Sequence, residues 1–158
     1  MACRTYNNND FCGLSFVGTL LLIFALSFIF AYEFLNSLTE GIRTVLIIVF
    51  IILFVMVLWS LLATAFTEPG RVPFYWGMSH ENNQADQRKY CLHCHNFKPE
   101  RCHHCSACKK CILNMDHHCP WVNNCIGFHN RKMFLLFIFY LEIGLIFMAI
   151  ICIILMIS

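Results

Sequence analysis

Three long uncharged runs dominate the pattern of the chain. The first extends from Phe11 to Tyr32, the second from Thr44 to Thr67, and the third from Met133 to Ile157, interrupted only by Glu142. A helix needs about 20 apolar residues to cross a bilayer, so each run predicts a membrane span. Helices are expected over 11–35 and 43–67, joined by a short polar turn that holds Glu33, Asn36, Glu40, Gly41 and Arg43, and again over 131–158. A cleaved signal peptide is the rival for the first run, but Ala31-Tyr32-Glu33 lacks the small-residue pattern of a cleavage site. Residues 1–10 form a polar tail, and Cys3 and Cys12 read as ordinary thiols with lipidation as the alternative. Thr67-Glu68-Pro69-Gly70 stops the second helix, because proline cannot continue it and glycine supplies a turn. Residues 68–90 make a linker, with Tyr75 and Trp76 suited to a membrane interface and a loop from Ser79 to Gln87.

Composition sharpens this picture. Charged residues make up 13% of the 158 residues and apolar ones 59%, whereas soluble domains carry about 25% charged residues. The net charge of +2 is too small to argue for nucleic acid. Residues 91–130 break the apolar pattern, and eight of the eleven cysteines fall between 91 and 125. There they are interleaved with histidines, which argues for metal in a reducing compartment rather than disulfides. The only internal repetition apparent is the doubling of ligand pairs inside this module. Arg71, Arg88, Lys89, Lys98, Arg101, Lys109, Lys110, Arg131 and Lys132 lie in the loop between the second and third runs, against Arg43 alone in the short turn. The excess of positive charge places the module and the N-terminus in the cytosol. The fold class is therefore mainly α and integral to the membrane, with three spans and a cytosolic two-zinc cysteine-rich module between the second and third.

The candidate ligands are Cys91, Cys94, His104, Cys105, Cys108, Cys111, His118 and Cys125. Eight donors make two closed sites of the three-cysteine, one-histidine type. Metal would supply much of the module's folding free energy, on the order of 10 kcal/mol per site. Spacing does not decide which ligand joins which site. His93, His95, His103, His129 and Cys102 are nearby extras, each read as a surface or supporting group. Closed sites leave no open position for substrate, so both metals are expected to be structural.

Asp116-His117-His118-Cys119 is the densest chemistry in the chain. With His118 on metal, a thiol, an imidazole and a carboxylate remain. The imidazole can take the thiol proton, and the carboxylate can orient the imidazole. The residues alone also allow the plainer reading, in which all four are ligands or loop residues.

The tetrapeptide, the preceding cysteine framework, the following Pro120-Trp121-Val122-Asn123-Asn124-Cys125-Ile126-Gly127-Phe128 with Asn130, and Phe134 together resemble the DHHC protein S-acyltransferases, or palmitoyltransferases. Thr67-Glu68-Pro69-Gly70 is similar to that family's Asp-Pro-Gly motif, with Glu68 in place of Asp. The resemblance implies Cys119 as nucleophile, His117 as general base and Asp116 as its orienting group. It implies one zinc held by Cys91, Cys94, His104 and Cys111 and another by Cys105, Cys108, His118 and Cys125. It places Trp121 beside the active cysteine. The family usually has four spans and a Thr-Thr-x-Glu motif after the fourth; neither is found in these residues, so a fragment, an incomplete gene product or a short isoform is expected.

The implied reaction transfers a long-chain acyl group from palmitoyl-CoA, or another long-chain acyl-CoA, through a Cys119 acyl-enzyme to cysteines of membrane-associated proteins. Partners are then membrane lipid, acyl-CoA and acceptor proteins with cytosolic cysteines, with no nucleic acid; an accessory subunit is unspecified. Localisation is multi-pass, in Golgi, endoplasmic reticulum or plasma membrane. Lys109, Lys110, Arg131 and Lys132 are candidates for the CoA phosphates and equally for headgroup or positive-inside charges. Glu142, near mid-bilayer, is expected to face a protein interior or wet cavity, bordering the acyl tunnel with Gly144 or serving helix packing. The rivals are a catalytically incomplete zinc-bearing adaptor, a RING-type ubiquitin ligase whose ligand spacings fit poorly, and a zinc-finger nucleic-acid binder without an evident basic recognition helix.

Overall fold

The computed structural model describes residues 10–35, 38–74, 76 and 89–157. The polar tail with Cys3, the Cys12 side chain, Tyr75, the Ser79–Gln87 loop and Ser158 lie outside that description. Among the described residues three long helices form: α1 over Asp10–Leu35, α2 over Glu40–Phe66 and α3 over Arg131–Ile157. Among the described residues, α2 and the Arg131–Ile154 part of α3 are long and apolar enough to cross a membrane. Helix α1 covers the first apolar run.

Helix α2 begins three residues before the predicted start. Thr39 occupies the extended N-cap position and Glu40 sits in the first turn, where a carboxylate meets the positive end of the helix. The helix thus runs past the edge of the apolar run, taking in Glu40, Gly41 and Ile42.

The helices pack mainly through α2 and α3. Phe24 and Phe28 of α1 stack on Phe50 of α2 at ring separations of 5.2 and 4.5 Å, and Met148 and Ile151 of α3 close this cluster. A second cluster, nearer the module, joins Val57 and Leu61 of α2 to Phe137 of α3. Ser60 and Thr64 are buried on α2, yet their hydroxyls donate to the carbonyls of Met56 and Ser60, each at 2.7 Å. Small residues satisfied within their own helix permit such close approach in an apolar surround.

The module consists of three two-stranded antiparallel hairpins. Strands β1 (Tyr90–Cys91) and β2 (Asn96–Phe97) form the first. Strands β3 (His103–Cys105) and β4 (Lys110–Ile112) form the second, and β5 (His117–Cys119) and β6 (Asn124–Ile126) the third. Each turn ends in a left-handed residue: His95 at φ 49°, Lys109 at 52° and Asn123 at 46°.

Two attachments hold the module to the helices. The turn after α2 lies along it, with Leu113 donating to the Gly70 carbonyl at 3.0 Å and His129 to that of Pro69 at 3.2 Å. Gly127 faces this turn so closely that a Cβ would stand 2.6 Å from the Pro69 oxygen, so no larger residue fits. The second attachment is a pair of fully buried asparagines. Asn124 Nδ2 donates to the carbonyls of Thr64 at 3.1 Å and Thr67 at 2.8 Å, capping the end of α2. Asn130 Nδ2 donates to the Cys125 carbonyl at 2.8 Å, and its Oδ1 accepts from the Gly127 amide at 2.9 Å. Asn124→Ala removes the side-chain donor to the Thr67 carbonyl and leaves that of Thr64 to Asn130 alone, at 3.3 Å, a loss of about 1–3 kcal/mol. Asn124→Asp sets a carboxylate against those same oxygens and is expected to cost more. Thermal unfolding in detergent checks the order: wild type above Ala above Asp.

Candidate active site and metal centres

Each ligand group is shared between neighbouring hairpins. Cys91 on β1 and Cys94 in the following turn meet His104 and Cys111, which face each other across β3 and β4. Cys105 on β3 and Cys108 in the next turn meet His118 and Cys125, which face each other across β5 and β6. Directly opposite strand residues carry their side chains on one face about 5 Å apart, so each His–Cys pair arrives already converged. Within each group all donor atoms lie within 4.8 Å of one another.

The donor chemistry fits zinc. Bonds of about 2.3 Å to sulfur and 2.0–2.1 Å to nitrogen in a tetrahedron set S and N about 3.6 Å apart. The Sγ to Nδ1 distances are 3.6, 3.2 and 3.9 Å from Cys91, Cys94 and Cys111 to His104. They are 3.4 and 3.6 Å from Cys108 and Cys125 to His118. Burial, with His93 and Lys98 beside it, shifts His104 below the usual imidazole range, which favours the neutral ring that a metal takes. Burial, with neighbouring thiols, pushes the Cys125 thiol up to about 12 and that of Cys111 also upward. At Cys91, burial acts the same way but is outweighed by the Cys94 and His93 amides and the Cys111 and Cys94 thiols, and the thiol shifts down. Buried sulfurs that resist ionising give up their protons to a bound dication. The two groups can hold two metal ions.

Among the described residues, the extras fall outside both groups. Cys102 is buried and its thiol is pushed up by that burial. His93 stacks on His104 at 4.9 Å, and His95, His103 and His129 join neither group.

Strand alternation explains the tetrapeptide. Successive residues of a strand point to opposite faces. His118 turns to the metal face of β5, so His117 and Cys119 share the other. Asp116, just before the strand, is held by its amide on the Ile126 carbonyl at 2.9 Å. Its Oδ2 lies 3.5 Å from His117 Nδ1, and its Oδ1 lies 3.5 Å from Arg131 Nη2. Phe134 meets the His117 ring edge-on at 5.3 Å. Cys119 is 3% exposed and packs against Val57, Leu61, Val122 and Phe137.

Beyond that sulfur runs an apolar groove between the helices. It encloses about 770 Å³ of empty space including its open side, and Phe24, Leu61, Cys119, Trp121, Phe137 and Leu145 are among its walls. Trp121 is half exposed at the mouth. Lys109, Arg131 and Lys132 are exposed and Lys110 partly so; of these, Arg131 faces Asp116. Glu142 departs from expectation: it is exposed and outside the groove's walls, while Leu141 and Leu145 line it and Gly144 is buried against Phe24. Helical phase explains this, since residues four apart share a face and their neighbours do not.

Apolar helices long enough to cross a membrane, two cysteine–histidine groups that can each hold a metal ion, and one further cysteine buried against an apolar groove define a membrane-type module with two candidate metal centres. Residues 84–158 match the family model described as DHHC palmitoyltransferase. The chain is 43% identical over 113 residues to "Probable protein S-acyltransferase 12" of Arabidopsis thaliana, covering 64% of this chain and 39% of that one. It is 37% identical over 129 residues to the palmitoyltransferase ZDHHC2 of Danio rerio, covering 63% and 36%. It is 38% identical over 166 aligned residues to the palmitoyltransferase ZDHHC7 of Rattus norvegicus, covering 96% and 52%. The chain thus spans between about a third and a half of these curated relatives.

Proposed function

We propose that the chain is a membrane-embedded protein S-acyltransferase module that carries a long acyl group on Cys119. One observation carries the reading: the Cys119 sulfur lies outside both ligand groups, at the head of an apolar groove, on the strand face it shares with His117. The acyl tail of an acyl-CoA would lie in the groove and its anionic head in water, so the thioester carbonyl falls at the sulfur. His117, with Nδ1 turned to Asp116, takes the Cys119 proton through its other nitrogen as sulfur attacks the carbonyl. The carbon–sulfur bond to CoA breaks, and the departing thiolate receives that proton. A protein thiol at the membrane surface then attacks the acyl-enzyme, and the same proton path runs again. Zinc in both centres supplies rigidity and no step. Lys109, Lys110 and Lys132 are placed to attract CoA phosphates, and Arg131 to hold Asp116. Helices α1, α2 and α3 all cross the bilayer, with the module on the cytosolic side.

Purified protein incubated with labelled palmitoyl-CoA is expected to release CoA and gain a hydroxylamine-sensitive label. Asp116→Asn should slow this by roughly 10²–10⁴-fold, as loss of an orienting carboxylate does for other nucleophile–imidazole pairs. Absence of label on a protein that retains two metal ions would instead support the non-catalytic zinc-bearing adaptor.

A further inference from the structure

The three hairpins repeat with a period of fourteen residues. Strand pairs Cys91↔Asn96, Cys105↔Lys110 and Cys119↔Asn124 occupy the same place in successive hairpins. So do Tyr90↔Phe97, His104↔Cys111 and His118↔Cys125. The left-handed residues His95, Lys109 and Asn123 keep the same interval. Each turn therefore has one geometry, opened by a cysteine. In the first two hairpins the residue three positions on is also cysteine, Cys94 or Cys108, and the two sulfurs fall in one ligand group. In the third, the opening cysteine is Cys119 and the residue three positions on is Val122.

The ends of this array are closed by apolar residues. The first hairpin carries Tyr90 and Phe97, in edge contact at 5.2 Å, where the others carry a His–Cys pair. The last carries Val122 where the others carry the second turn cysteine. Terminal repeats of an array are commonly atypical because no neighbour follows them. What faces the third turn is not another hairpin but α2 and α3: Cys119 and Val122 pack on Val57, Leu61 and Phe137. The apolar groove thus stands where a third metal would stand if the pattern continued.

We propose that the β5–β6 hairpin is a third copy of the metal-binding unit whose metal position is taken by the apolar groove, and that Val122 is the positioning residue that keeps the Cys119 sulfur out of metal coordination. Two turn thiols three residues apart chelate soft dications; one thiol beside a valine does not. The turn amide completes the positioning. In the second hairpin the Cys108 amide donates to Cys105 Sγ at 3.3 Å, and the repeat assigns the Val122 amide the same relation to Cys119. The inference deepens the acyltransferase reading, in which Cys119 must be free.

The test uses the full chain in detergent with Val122→Cys, and Val122→Ser as a control of similar size without a second thiol. Each is kept reduced, treated with cadmium ion and freed of excess. Metal per chain is counted, and alkylation of Cys119 by a small maleimide is followed by peptide mass. Val122→Cys is expected to bind one more ion per chain than wild type and to slow Cys119 alkylation by roughly tenfold or more. A mild chelator should reverse both while leaving the original two ions. Wild type and Val122→Ser should keep two ions and a reactive Cys119. The proposal is overturned if Val122→Cys keeps two ions and a reactive Cys119, or if cadmium protects wild-type Cys119 equally. If Val122→Cys loses the original two ions, Val122→His offers a second ligand in the same place and is read by the same criteria. Neither readout uses acyl transfer, so failure to form an acyl-enzyme would strike the proposed function and leave this result standing.

Discussion

Serine in place of Cys119 is expected to remove acyl-enzyme formation altogether while leaving both metal ions in place. The hydroxyl would not ionise near neutral pH, and loss of a nucleophile from such an assembly costs up to roughly 10⁶-fold in rate, far below detection with labelled acyl-CoA. The fold should survive. Cys119 belongs to neither ligand group, and a serine there introduces one buried hydroxyl, a penalty of about 1–3 kcal/mol. Metal analysis and thermal unfolding, run beside the labelling assay, separate this chemical loss from a structural one. Release of metal on Cys119→Ser would mean that the sulfur is a ligand, and the assignment of roles on β5 would be wrong.

Removal of metal is expected to have the opposite signature: chemistry and module lost together, helices retained. Little apolar side chain is buried in the module beyond Ile112, Val122, Ile126 and its cysteines, so bound metal is expected to contribute much of the stability, roughly 10–16 kcal/mol per structural zinc. His118→Ala should lower the count from two ions to one. It should reduce acyl-enzyme formation by roughly 10²-fold or more, because His118 lies between His117 and Cys119 on the same strand and sets the direction of both. Far-ultraviolet circular dichroism should change little, since α2 and α3 pack through Val57, Leu61 and Phe137 without help from the ligands. Full acyl-enzyme formation by a His118→Ala protein with one ion would show that the second centre does not position the strand.

Much of this arrangement is legible in the chain. The apolar runs are long enough to declare α2 and α3, and the tetrapeptide with its cysteine framework points to the DHHC family model that residues 84–158 match. Ligand partition is different. Spacing alone left it open, and the structure settles which donors converge through a fact spacing does not carry: His104 lies opposite Cys111, and His118 opposite Cys125. The asparagine clamp has no local signal either. Asn124 and Asn130 read as polar residues of a polar loop, yet both are fully buried because the end of α2, some sixty residues earlier, offers carbonyls that need donors. The fourteen-residue period was masked by its own exceptions, Tyr90, Phe97 and Val122, which replace ligands where the array ends. Arg131 and Glu142 show the limit of reading charge from sequence: one turned out to face Asp116, and the other lies on the outer face of α3.

The central claim is that two metal centres hold β5 so that one sulfur stays unbound and meets the apolar groove. Native mass spectrometry of the purified chain after brief exposure to palmitoyl-CoA tests it most directly, with the modified site located by peptide mapping. The account predicts a single species that carries two metal ions and one palmitoyl group together, the latter on Cys119. A palmitoyl group on another cysteine, or a species that loses a metal ion as it gains the acyl group, would contradict it.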